Sequence, residues 1–368
     1  LYAEAGELNL SGILTRFNNN IIIPLYVFNS AALNRILIIQ TAFIGDVILA
    51  TPVAEKLHHA FPGAKIDFLV KKGNQMLFEN HPFINTYIYW NKDESKYQNL
   101  RRVIAEVRKN RYDLVVNLHR FFSTGLITVL SKSKRTIGFD KNPLSFLFSK
   151  RVKHLINNEN NGGHEIDRNL ALIEDYGEKK RFMPRLYPSI FDNKKFESYG
   201  LTDYICIAPA SVWFTKQYPR EKWIEFIKNI GESITVCYIG SAQDKEVCRE
   251  IMNLSEHKNS HNLAGMLTLL ETAAIVQHAK MNFVNDSAPM HIASATNAPV
   301  TAIYCSTLPA FGFGPLSDVS FVVETDVQLD CKPCGIHGFD ACPEKHFKCA
   351  LAIDTKKLLD ILHDCLNA

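Results

Sequence analysis

The sequence predicts an α/β protein: two doubly wound, Rossmann-like domains facing a central cleft. Three observations point to this. From Asn34 onward, apolar strand-like runs alternate with amphipathic helical stretches. A basic, Pro-containing stretch, "EKKRFMPRLYPS" (178–189), interrupts the rhythm once, and the rhythm then starts afresh. The chain has 368 residues, enough for two cores of ordinary size. The expected divisions are an amino-terminal extension over 1–33, a first domain over 34–185 and a second over 186–368. Composition agrees, with 46% hydrophobic and 21% charged residues, which excludes wholesale disorder. Lys and Arg number 41 against 38 Asp and Glu, a balance too even for general nucleic-acid binding.

In chain order, the extension contains "NNNIIIPLYVF", too short and too Pro-interrupted to span a bilayer, which takes about 20 apolar residues. It shows no signal-peptide pattern, and a frayed segment is expected there. "RILIIQ" (35–40) reads as a buried parallel strand because its apolar run is continuous and β-branched. A helix is expected from Asp46, then "KIDFLV" (65–70), a helical stretch, "TYIYW" (86–90), an amphipathic helix over 98–109, "DLVVNL" (113–118) and "KRTIGF" (134–139). A polar region, "INNENNGGHEIDRN", precedes a helix over 165–176. The second half reads "YICIAPA" (204–210), helix 220–230, "ITVCYIG" (234–240), helix 243–254, "HNLAG" (261–265), helix 268–279, "MNFVND" (281–286), helix 287–296 and "VTAIY" (300–304).

Three strand-end loops carry candidate chemistry. The turn after the first strand, "TAFIGD", holds a single glycine, Gly45, and then a carboxylate, Asp46, where a dinucleotide-binding turn would be glycine-rich. The loop "APASVWFTKQYP" offers Ser211, Thr215 and Lys216 ahead of a helix that starts near Pro219, a plausible diphosphate site; Trp213 and Phe214 read as packing residues or as a platform for a base. In "NDSAPMH", Asp286 and Ser287 fall in the N-cap region of a helix carrying His291. Caps alone would explain Asp286 and Ser287. Their placement toward the same cleft as Lys216 favours contact with phosphate oxygens and a sugar hydroxyl.

"QTAFIGDVILATP", "VNLHRFFSTGLI", "RTIGF", "IAPASVWFTKQYPREKW", "AGMLTLLETAAIV" and "NDSAPMHIASA", in this order and spacing, resemble glycosyltransferase family 9, the ADP-heptose:lipopolysaccharide heptosyltransferases and their relatives. The resemblance runs from about Arg35 to the carboxyl-terminal helix. It implies the GT-B fold, a donor held mainly by the second domain, and inversion at the anomeric carbon without an obligatory metal or other cofactor. It implies that Asp46 is the general base, which an inverting transfer needs on the acceptor side. The helix N-terminus is expected to favour its ionised form. It also implies donor contacts from Ser211, Lys216, Asp286, Ser287 and His291, and from Gly240, which opens the loop near the ribose, with Asp244 beside it. At Val212 the sequence departs from the pattern, which has a second hydroxyl residue there. Gly45, Arg120 and Arg135 are acceptor-side candidates. The basic set completed by Lys132, Lys134, Lys150, Arg151 and Lys153 suits an anionic glycolipid at a membrane surface, or simply a solvated face.

The expected reaction is therefore transfer of a heptose from ADP-heptose to the inner core of lipopolysaccharide, on a lipid A-linked acceptor. The expected location is cytoplasmic and peripheral at the membrane, and no nucleic-acid partner is expected. A family member with another donor or acceptor, or a sugar-nucleotide epimerase on the same fold, is the alternative. A catalytically dead glycan-binding module is disfavoured by Asp46 and Lys216. A nicotinamide oxidoreductase is disfavoured because no G-x-G-x-x-G follows a strand. The chain has nine cysteines. Cys206, Cys237, Cys248, Cys305 and Cys365 are scattered and suit a reducing compartment. Cys331, Cys334, Cys342 and Cys349, with His337 and His346 interleaved, allow either a structural zinc or buried or redox-active thiols.

Overall fold

The computed structural model describes residues 33–91, 95–156 and 163–367. The extension expected over 1–33 lies outside them except for Leu33, as does the middle of the polar region before residue 163. Strands β1 (Arg35–Ile39), β2 (Lys65–Lys71), β3 (Ile84–Trp90), β4 (Leu114–Asn117), β5 (Arg135–Phe139) and β6 (Lys150–Val152) form one parallel sheet, ordered β3-β2-β1-β4-β5-β6. Strands β7 (Tyr204–Ala208), β8 (Thr235–Tyr238), β9 (Ser260–Asn262), β10 (Met281–Asn285), β11 (Val300–Ile303) and β12 (Ser320–Val323) form a second, ordered β12-β11-β10-β7-β8-β9. Both sheets follow one plan: the chain winds outward from its first strand, then returns and winds the other way from its fourth. The crevice for a ligand opens at that reversal, beyond the carboxyl ends of β1 and β4 in one sheet and of β7 and β10 in the other.

The central strands explain the apolar runs. Ile36 to Ile39 and Tyr204 to Ala208 are covered on both faces and are almost wholly buried. The covering helices are α1 (Ile44–Ile48), α2 (Thr51–Ala60), α3 (Lys96–Asn110), α4 (Phe122–Leu130) and α5 (Glu165–Ala171) in the first half. The second half has α6 (Ile190–Glu197), α7 (Arg220–Lys228), α8 (Lys245–Ser255), α9 (Leu269–His278), α10 (Ala288–Thr296), α11 (Lys348–Leu351) and α12 (Lys356–Asn367).

Two helices differ from expectation. The helix expected from Asp46 is two helices, because Pro52 sits at the second position of α2, where its missing N–H costs nothing. The helix expected over 165–176 ends at Ala171. Beyond it, the Leu172, Ile173 and Tyr176 N–H groups bond three residues back, and Gly177 turns the chain at a φ of 67°.

Residues Ala32–Ala368 form one compact unit that holds both sheets. One apolar cluster runs through both halves, from Ile36 and Val47 to Met290 and Tyr304. Polar ties reinforce it. Asn169 Nδ2 donates to Leu49 O at 3.1 Å, the Arg185 N–H to Thr51 Oγ1 at 3.0 Å, and the Glu165 N–H to Gly312 O at 2.7 Å. Among the described residues no helix is long and apolar enough to cross a membrane.

Candidate active site

A cleft of about 590 Å³ lies where the two crevices meet. Its first wall is the turn after β1. Asn74 Nδ2 donates to Ala42 O at 3.0 Å and fixes the turn, and α1 then presents Asp46 to the cleft. The Asp46 Oδ2 accepts the Phe43 N–H at 3.2 Å, so the carboxylate does close the first turn of α1, yet it also lines the cleft. Burial pushes its carboxyl above the ordinary carboxylate range; the Phe43 N–H, His337 and Lys216 pull the other way without prevailing. The amino end of α1 does favour the ionised form, as expected, through the Phe43 N–H, but α1 spans only five residues and desolvation outweighs it. A raised carboxyl is the stronger base once ionised.

The same wall carries residues that the sequence did not single out: Lys71 and Lys72 at the end of β2, His119 after β4, His154 after β6, and Glu165 opening α5. Glu165 is buried, and Arg168 holds it through Nε at 2.8 Å and Nη2 at 2.7 Å. Burial raises the Glu165 carboxyl despite that guanidinium. Arg168 also donates to Gly163 O and Phe311 O, joining the start of α5 to a loop of the second half.

The second wall is the loop between β7 and α7 together with the start of α10. Asn285, fully buried at the end of β10, donates Nδ2 to Pro209 O at 2.8 Å and accepts the Tyr218 N–H at 2.9 Å. It therefore clamps both ends of the loop that carries Ser211, Trp213 and Lys216 into the cleft. Lys216 Nζ pairs with Asp286 Oδ2 at 2.7 Å, and Thr307 Oγ1 donates to the same oxygen at 2.7 Å.

Capping, the alternative explanation for Asp286 and Ser287, is not what their side chains do. Asp286 is engaged with Lys216 and Thr307, Ser287 Oγ turns back to Asn285 O, and no side chain among the described residues caps α10. The amino end of α10 is left facing the cleft, an arrangement that receives anions. His291 is buried beneath it, shifted down to about 3 by desolvation with a lesser push from His164 and Lys216, and is therefore neutral. Its Nδ1 has no hydrogen-bond partner among the described residues. A Cβ on Gly45 would fall 2.6 Å from His291 Cδ2, so glycine at 45 is what lets α1 approach α10.

Ser211, Lys216, Asp286, Ser287, His291, Gly45, Asp46 and Arg120 all line this one cleft. Gly240, Asp244 and Arg135 do not. Gly240 ends the run after β8, one strand out from the reversal, and Asp244 accepts the Ser241 N–H and Oγ–H in a local cap. Arg135 begins β5, at the amino edge of the sheet, opposite the cleft. Thr215, expected to face a phosphate, is buried and accepts the Phe339 N–H at 2.8 Å.

That bond belongs to a fold-back of the Cys-rich segment. The Thr215 N–H returns to Phe339 O at 3.0 Å, and the Cys334 N–H reaches Ser306 O at 2.9 Å. Gly338 holds a φ of 80° against Thr215 and Lys216, which turns Ile336 and His337 into the cleft. Among the described residues no group of three or more His, Cys, Asp or Glu side chains is arranged to hold a metal ion.

The cleft thus sets a basic carboxylate opposite an ammonium and an uncapped helix end. Compared with known proteins, residues 100–337 match glycosyltransferase family 9 (heptosyltransferase), well over half of the chain. The chain belongs to glycosyltransferase family 9. This family 9 chain is 27% identical over 277 residues to lipopolysaccharide heptosyltransferase 3 of Escherichia coli K12, covering 72% of this chain and 80% of that one. It superposes on the structure of the E. coli ADP-heptose lps heptosyltransferase II with a TM-score of 0.73 at 22% identity, over 90% of this chain and 98% of that one. On the E. coli heptosyltransferase WaaC with ADP the TM-score is 0.67 at 17% identity, over 90% and 99%. The fold is GT-B, two Rossmann-like domains flanking a cleft, and the chain is a glycosyltransferase that takes its sugar from a sugar-nucleotide donor.

Proposed function

We propose that this glycosyltransferase moves a heptose from ADP-heptose to a lipid A-linked inner-core acceptor of lipopolysaccharide, at the inner face of the cytoplasmic membrane, with inversion. One observation carries the reading: Asp46 and the pair Lys216–Asp286 occupy opposite walls of a single cleft, each at a strand-order reversal. The heptosyltransferase relatives and the WaaC structure with ADP support the choice of donor.

In the reaction so read, the acceptor hydroxyl oxygen attacks the anomeric carbon from the face away from the nucleotide. Its proton passes to Asp46, and the bond from the anomeric carbon to the β-phosphate oxygen breaks with its electron pair going to ADP. Lys216 and the amides opening α10 receive the growing diphosphate charge, an electrostatic term worth about 3–4 kcal/mol per well-placed donor. Asp286 holds Lys216 in place, and Ser211 and His291 offer hydrogen bonds to the phosphates and the sugar. Val212 stands exposed in the cleft-lining loop where a hydroxyl is usual for the family, so the contact that hydroxyl would make to the donor is not supplied by this side chain.

The test is Asp46→Asn assayed with ADP-heptose. Asparagine retains an oxygen for the Phe43 N–H, so the cap survives while the base is lost. Donor affinity by calorimetry should stay unchanged, and turnover should fall by about 10²–10⁴. Turnover within tenfold of the parent would reduce Asp46 to a cap. Absence of ADP-heptose binding, with another sugar nucleotide bound instead, would move the chain to a different donor.

A further inference from the structure

We propose that the carboxyl edge of the first sheet carries a built docking surface for an anionic lipid bilayer: an apolar rim set among cations at the mouth of the cleft. Phe43, Phe121, Phe122, Phe146, Leu147 and Leu155 are each between 52% and 68% exposed. Scattered exposed apolar residues are ordinary; these are not scattered. Phe43 follows β1, Phe121 and Phe122 follow β4, Phe146 and Leu147 follow β5, and Leu155 follows β6. All lie beyond the carboxyl ends of these strands, at one edge of the sheet.

The loops are tied to one another. Buried Asn142 donates Nδ2 to His119 O and to Phe121 O, both at 3.0 Å, which fixes the loop after β4 to the loop after β5. The His154 N–H donates to Asp140 Oδ1 at 2.9 Å and binds the segment after β6 to the same loop. Phe121 rests edge-on against His119, with ring centroids 4.6 Å apart. Order of this kind, spent on holding large apolar side chains in water, fits a surface that is covered in use.

Charge selects the occupant. Arg120, Lys141 and Lys153 are exposed on these same loops, while the loop carboxylate Asp140 is turned inward to a backbone N–H. Aromatic and aliphatic side chains interspersed with cations match the headgroup layer of an anionic membrane, where apolar burial and attraction to acidic lipids act together. Phe43 and Phe121 also line the cleft, so a bilayer seated on the rim lies at the entrance beside Asp46. The use of the rim rests on the proposed reading, since a lipid-linked acceptor is what would need this entrance held at a membrane.

The test is sedimentation of the full chain with phosphatidylcholine vesicles, with and without phosphatidylglycerol. The protein should pellet with the acidic vesicles and be released by salt. F146E/L147E, neither residue of which lines the cleft, should weaken that partition about tenfold or more while its melting temperature and ADP affinity stay unchanged. If that variant fails to fold, Leu155→Glu gives the same readout from another loop. K141E/K153E should lose the preference for acidic vesicles. Failure of the parent to pellet, equal pelleting with both vesicle types, or pelleting of F146E/L147E like the parent would each overturn the proposal. Calorimetry with ADP-heptose separates the two readings: vesicle binding without ADP-heptose binding leaves the rim standing and removes the donor assignment.

Discussion

Gly45→Ala tests the contact that sets the two walls of the cleft against each other. A Cβ at this position would lie 2.6 Å from His291 Cδ2 and 3.3 Å from Nε2. Carbon atoms settle at about 3.5–4.0 Å, so α1 or the imidazole must retreat by about 1 Å. His291 is buried and packed, and forced overpacking of this kind costs about 1–3 kcal/mol. Asp46 is the next residue of α1, so a retreat of α1 carries the carboxylate away from the second wall. A misplacement of about 1 Å can cost about 10²-fold in rate. Urea denaturation should therefore show the stability loss, and steady-state transfer should show a fall in kcat near that factor, with ADP affinity less affected. H291A/G45A, which removes the ring, should recover most of the lost stability, and the double-mutant cycle should give strong coupling between the two positions. Gly45→Ala with parental stability and kcat would refute the idea that this approach sets the geometry of the cleft.

Lys216→Met removes the ammonium from a pair whose side chains are only 14% and 7% exposed, leaving the Asp286 carboxylate with the Thr307 hydroxyl but no cation paired to it among the described residues. The expected cost is about 3–5 kcal/mol in urea denaturation together with a loss of ADP affinity by calorimetry, and loss of neither would remove the pair from both roles. Stability should also fall on mild acidification. Burial holds His81 and His291 down to about 3, and His154 and His164 down to about 4, against an ordinary value of 6.5. Below about pH 6.5 the unfolded chain therefore binds protons that the folded chain refuses, so each of these histidines withdraws up to about 1.4 kcal/mol per pH unit down to its folded value. Asp46 and Glu165, raised by burial, act in the opposite sense near the acid end. Urea midpoints measured from pH 7.5 to pH 5 should fall steadily, and a flat profile would contradict the shifts.

The central strands were legible because burial on both faces leaves an unbroken apolar signature, as in Ile36–Ile39. The edges were not. β6 is three residues, two of them cations, and most of β12 is exposed, so neither carries that signature. The lining of the candidate cleft was readable where it follows a strand end beside the reversal, as with Asp46, Lys216 and Asp286. Gly240 is also at a strand end, but its strand lies beyond β7 on the side away from β10, and strand order is not written in chain order. Arg135 stands out in the sequence by its charge, and charge does not say at which end of a strand a residue lies. Glu165 and His337 reach the cleft only through tertiary packing, by α5 bonding to Gly312 and by the fold-back onto Thr215. Asn285 offered a local clue, an amide immediately before the candidate aspartate, but its role as a clamp depends on a loop more than sixty residues earlier in the chain.

The shared strand plan of the two sheets has an evolutionary corollary. Each half brings its own crevice, so on the proposed reading the choice of leaving nucleotide and the choice of attacking alcohol rest on separate loops and are free to diverge independently. Recombination between relatives could exchange one preference while sparing the other, provided that the glycine–imidazole contact at the seam is preserved. Both halves line the one cleft, so a half separated from its counterpart would lose one of its walls.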